Sequence, residues 1–223
     1  MLIICRGGLW PSATHIAARN GEPPEAAHTR IFQCKLPTTW RGQNLMPNHE
    51  QLSALAKACG FTHCAPLDVK TLEFLPEVHQ MCAANTCGRY NKSWACPPAV
   101  GTLEEMRARV KGYAAGLLVQ TVGEIEDSYD WDGIQSVAKR QGENFAKLWD
   151  ELEKIYPSVL AMGTGGCTKC EKCAYPDEPC RFPERMAASM EACGLYVSKL
   201  CADNGLAYNY GPEKIAFTAC FLL

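Results

Sequence analysis

The chain has 223 residues, 14 of them cysteine, and a formal net charge of −2 from 22 basic and 24 acidic side chains. That near balance excludes the basic footprint of a nucleic-acid or membrane-surface binder, and no apolar run reaches the roughly 20 residues that span a bilayer. The opening MLIICRGGLWPSATH lacks the basic lead-in and apolar core of a signal peptide, so the expected setting is the cytoplasm, where thiols stay reduced.

Residues 1–47 read as an irregular, poorly packed extension. Pro11, Pro23, Pro24, Pro37 and Pro47 interrupt any helix, and no apolar period is sustained. Met46, just before a clean helical pattern, is a second candidate for the natural start beside Met1. Residues 48–223 then read as a cysteine-rich, metal-binding α/β domain. Leu52, Leu55, Ala56 and Cys59 recur at helical spacing, with Gly60 as the stop. FTHCAPLDV reads as a short strand, and LEFLPEV as a turn or short helix broken by Pro76.

Thr102 and Glu105 have capping-box spacing and start a helix that ends at Gly112. AAGLLVQTV is a continuous apolar run of strand length, the kind buried on both faces. After the acidic turn GEIEDSYD comes the longest helix, about Asp132 to Tyr156, with a stripe of Ile134, Val137, Phe145, Leu148, Trp149, Leu152 and Ile155. SVLAMG is a further strand. Two helices are expected next, the first opened by Pro183, with Gly194 and Gly205 marking their ends. IAFTACFLL closes the chain as a strand. The alternation predicts a small mixed-sheet sandwich with helices packed on it and two cysteine-rich metal-binding loops.

Seven cysteines fall in those two loops. In a reducing compartment, clustered thiols point to metal or redox chemistry before disulfides. Cys167, Cys170 and Cys173 form a C-x2-C-x2-C run, and Cys180 follows after six residues. One tight loop with this spacing presents three thiolates to one side, as ferredoxin loops do for a [4Fe–4S] cluster. Zinc is the alternative, although a structural zinc site usually draws two C-x2-C knuckles from separate segments.

The earlier loop carries Cys82, Cys87 and Cys96, spaced like no ferredoxin pattern, with the Cys96-Pro97 pair echoing a ferredoxin ending. Gly88 lets the backbone fold tightly, and Tyr90 and Trp94 either shield a cluster or pack the core. Three thiolates on a four-iron cluster would leave one iron open as a Lewis acid. His79, Cys64 or His63 could instead complete the set. Seven metal ligands are therefore expected, at one or two iron–sulfur sites. GTGG at 163–166 lacks the Lys-Ser/Thr of a phosphate loop and reads as a backbone turn aiming amides at sulfur. No cysteine has a motif-level His or Asp partner for nucleophilic catalysis. Arg181 and Arg185, beside the second loop, could offset cluster charge or serve as ordinary surface pairs.

The two loops together resemble a family of predicted metal-binding proteins catalogued as domain of unknown function 2284. The residues that carry the likeness are Leu72 to Val78, Cys82, Cys87, Gly88, Tyr90, Trp94, Cys96, Pro97 and Pro98. Cys167, Cys170, Cys173, Tyr175, Pro176, Cys180, Arg181, Phe182, Pro183, Ser189, Met190, Glu191 and Gly194 make the second half. The likeness runs from roughly Gln51 to the C-terminus. It implies metal binding, iron–sulfur in type, and no particular reaction. The expected role is electron transfer or another redox reaction with a redox partner protein; the alternative is a zinc-stabilised structural or interaction module. Whether the chain is an enzyme stays open at this point.

Overall fold

A computed structural model describes residues 48–223. The readings of residues 1–47, including the choice between Met1 and Met46, lie outside the described residues. Five strands form one mixed sheet in the order β1-β2-β5-β3-β4, with β1 at His63–Leu67, β2 at Gly116–Glu124, β3 at Leu160–Gly163, β4 at Ala188–Ser189 and β5 at Lys214–Leu222. β2 and β5 are antiparallel over their whole length, from Gly116 opposite Leu222 to Glu124 opposite Lys214. The β3–β4 pair is parallel.

Side chains alternate across this sheet and so build two cores. Leu117, Val119, Ala161, Ala219 and Phe221 face one side, under α1 (His49–Ala58) and α4 (Trp131–Ile155). Leu118, Leu160, Met162, Cys220 and Leu222 face the other, under α3 (Leu103–Val110), α5 (Val197–Asp203) and the cysteine loops. The central strands are covered on both faces, which is why AAGLLVQTV reads as an unbroken apolar run.

Local signals set the helix ends. Asn48 accepts from the Glu50 and Gln51 backbone N–H groups and starts α1, which stops before Gly60 at φ +104°. Thr102 and Glu105 exchange both capping-box bonds, at 2.7 and 3.2 Å. Asp130, from the acidic turn, caps α4 through the Gly133 N–H at 2.9 Å. Along α4 the stripe seats Val137, Leu148, Trp149 and Leu152 in the core, while Ile155 is exposed at the end. Each fully buried leucine of that stripe contributes about 2 kcal/mol of burial.

Two expectations are corrected. Pro76 does not break a helix; it occupies the first position of α2 (Pro76–Met81), where a missing N–H costs nothing. Nor does Pro183 open a helix. Pro183–Arg185 is a single 3-10 turn, and β4 follows. Met186, Ala188 and Met190 alternate into the core with a period of 2, and the Met190 N–H finds the Gly163 carbonyl at 3.2 Å. A free edge of β3 thus overrides the helix signal of a single proline. No helix among the described residues is long and apolar enough to cross a membrane.

Candidate metal centre

Both cysteine loops lie on the α3–α5 side of the sheet, against the same core: Ala95, Val100 and Trp94 from the first, Cys167, Cys180 and Met186 from the second. The second loop leaves the end of β3. Thr164 anchors its first residue by donating to the Thr218 carbonyl at 2.6 Å, and Gly165, at φ +71°, turns the chain. Gly166 is needed for another reason: a Cβ there would sit 2.7 Å from Arg89 Cδ, so the arginine of the first loop crosses the bare glycine of the second.

The first loop is stapled onto the second. The Trp94 indole N–H donates to the Glu178 carbonyl at 2.9 Å, and its rings stand edge-on to Tyr175 at 5.0 Å. Tyr175 in turn donates its hydroxyl to the Asn91 side chain. Arg181 closes the second loop on itself through the Lys172 carbonyl at 2.9 Å. Of the two aromatics of the first loop, Tyr90 and Trp94, Trp94 packs on the core and clasps the two loops together.

The thiols of the two loops act on one another. Burial pushes the Cys96 thiol up, and the charges of Cys87, Cys167 and Cys173 push it further, with Arg89 pulling it down. Cys180 is likewise raised by burial and by Cys167, Cys173 and Cys170, against the pull of the Phe182 N–H. Burial also raises Cys173, yet here the backbone N–H groups of Tyr175, Trp94 and Ala174 and the Ser93 hydroxyl outweigh it, so this thiol falls below its ordinary value. The donors come from both loops. They are not the GTGG amides, whose residues turn the chain and make room for Arg89.

Cys82 also reaches toward the strand after the second loop. It stands where α2 passes into a 3-10 turn, and its charge acts on Cys193, a buried residue after β4. His79, one turn earlier, has its Nε2 buried without a hydrogen-bond partner, and burial holds its pKa low. His63 and Cys64 lie on β1, the sheet edge farthest from β4: His63 packs on Tyr210 at 4.8 Å, and the Cys64 thiol donates to the Ser53 carbonyl at 3.9 Å. Arg185 turns to α4, lying 4.4 Å over the Trp149 ring and pairing with Asp150 and Glu153. Cys59, Cys193, Cys201 and Cys220 are buried. A shallow surface dip is lined by Thr71, Glu73, Leu195, Tyr196, Lys199 and Leu200, and none of the seven loop cysteines lines it.

Among the described residues, no three His, Cys, Asp or Glu side chains stand close enough to hold a metal ion as they are, and no disulfide joins the cysteines. The fit to a metal lies in the chemistry of the set: thiols within each other's field, N–H donors on one sulfur, and a guanidinium beside them. A model of predicted metal-binding proteins, domain of unknown function 2284, matches residues 65–223. The chain belongs to this family. The match opens at Ala65, inside β1, so α1 stands outside it, a shorter reach than the expected start near Gln51. Neither curated proteins nor solved structures give a match. Membership in the DUF2284 family carries predicted metal binding, and the matched segment contains both cysteine loops.

Proposed function

We propose that Cys87 and Cys96 join Cys167, Cys170, Cys173 and Cys180 in one iron–sulfur centre. In this reading the protein passes electrons to or from a redox partner protein in a reducing, cytoplasmic setting. The observation that carries it is the clasp of the two loops, the Trp94 indole donating to the Glu178 carbonyl at 2.9 Å against Tyr175, which sets Cys96 in the field of Cys87, Cys167 and Cys173.

An iron–sulfur cluster bound there would supply a one-electron redox couple. The chain's own residues hold and shield it. Four thiolates suffice for a [4Fe–4S] cluster; in this reading Cys96, in the field of both loops, is one of the four, and two of the other five are supporting groups. Trp94 and Tyr175 cover the loops with aromatic surface, and Arg89 offsets thiolate charge.

Anaerobic purification with iron, zinc and acid-labile sulfide analysis tests this. The expected product is brown, with iron and sulfide in equal amounts and charge-transfer absorption in the visible. A colourless protein holding zinc alone would reject the cluster and leave a zinc-stabilised structural module.

A further inference from the structure

The joined cysteine loops carry a charge balance opposite to that of the whole chain. The chain holds 22 basic and 24 acidic side chains, yet between Glu77 and Glu104 it has Arg89 and Lys92 and no acid. The second loop adds Lys169, Lys172 and Arg181 against Glu171, Asp177 and Glu178, so the excess over both loops is basic. Among the described residues no carboxylate forms an ion pair with any of these cations. Arg181 gives an N–H to the Lys172 carbonyl, and Lys169 lies 5.7 Å over the ring of Phe182, which is 44% exposed. The clasp sets the cations of the two loops side by side. Arg89 crosses the bare Gly166, three residues before Lys169, and Lys92 follows Asn91, which takes the Tyr175 hydroxyl.

We infer that this basic rim, with Phe182 as its apolar contact, is the face through which the protein meets its redox partner, and that the partner presents an acidic surface to it. The inference rests on the iron–sulfur reading. Electrons pass only over short distances, so docking belongs where the cysteine loops reach the surface, as they do at the exposed Cys87. Complementary charge across such a face speeds encounter, sets orientation and turns away like-charged partners. Lysines without an internal carboxylate keep their full field for that encounter.

The test follows anaerobic oxidation of the reduced protein by stopped flow at low salt, with one equivalent of ferricyanide, an anion, or of hexaammineruthenium(III), a cation. Either reagent takes one electron from the centre and is itself reduced by one. Lys92→Gln and Lys169→Gln are each expected to slow ferricyanide about fourfold, the effect of one charge roughly 10 Å from a trivalent ion in water. Both variants speed the ruthenium reagent, and high salt erases the differences. Lys57→Gln, on α1 across the sheet, leaves both rates near wild type. Polyglutamate, standing in for an acidic protein surface, is expected to slow ferricyanide with wild type and to lose that effect when both lysines are replaced. Loop variants that behave like Lys57→Gln, or polyglutamate without effect on wild type, overturn the acidic partner alone. So do variants that shift both reagents in one direction together with the cluster potential, since the lysines then serve the cluster. A wild type without iron and sulfide overturns the iron–sulfur reading and this inference with it.

Discussion

Gly194 shows how one residue places the first loop. Its φ is +86°, a region side chains rarely adopt, and a Cβ would lie 2.4 Å from Leu103 Cδ2. The carbonyl of Gly194 accepts the Leu75 N–H at 2.8 Å, and Phe74 bridges Leu195 beside it. α2 and the chain leading to Cys82 therefore hang from this turn. Gly194→Ala is expected to cost about 1–3 kcal/mol from backbone strain and the displaced leucine. A urea midpoint indistinguishable from wild type would show that the turn yields freely. The strain at Gly194 was half legible: a glycine at a helix end was expected, whereas the helix before it does not exist.

At the scale of elements, the caps announced themselves because the chemistry is local. Asn48, the Thr102–Glu105 pair and Asp130 each satisfy N–H groups within three residues of themselves, so spacing alone reveals them. β4 did not, because its two residues become a strand only when β3 offers an edge. Arg185 follows the same rule. As a neighbour of Cys180 it could have served the cluster, but α4 brings Trp149, Asp150 and Glu153 to it, and a ring face with two carboxylates holds a guanidinium better than a distant thiolate. It thereby ties the segment after the second loop to the longest helix.

Across the whole molecule, burial makes the structural cysteines reluctant acids. Cys193 is pushed from an ordinary 9.0 up to about 12, first by burial, with Arg109 pulling it down and Glu191 and Cys82 pushing it up. Burial raises Cys220 as well. Both thiols hold their protons more tightly folded than unfolded, so the stability they lend is complete below pH 9.0 and is lost as pH rises toward their folded values. Urea unfolding across the alkaline range should show stability falling by about 1.4 kcal/mol per pH unit for each such thiol, and Cys193→Ala should flatten the slope. Stability that is level or rising through that range would contradict this burial.

The convergence of the two loops is also a property of the whole molecule, and spacing alone left one site or two open. Spacing within each loop spoke of four thiols and three, because it reports only what neighbours can share. That Cys96 lies in the field of Cys167 and Cys173, and Cys82 in that of Cys193, depends on the core that both loops cover. Iron per chain in anaerobically isolated Cys96→Ser and doubly substituted Cys96→Ser, Cys173→Ser proteins, measured against wild type, tests the single centre most directly. One shared centre predicts that Cys96→Ser already loses most of its iron. If Cys96→Ser instead retains about half, with the remainder lost only when Cys173 is also replaced, the loops hold separate centres and the account is wrong.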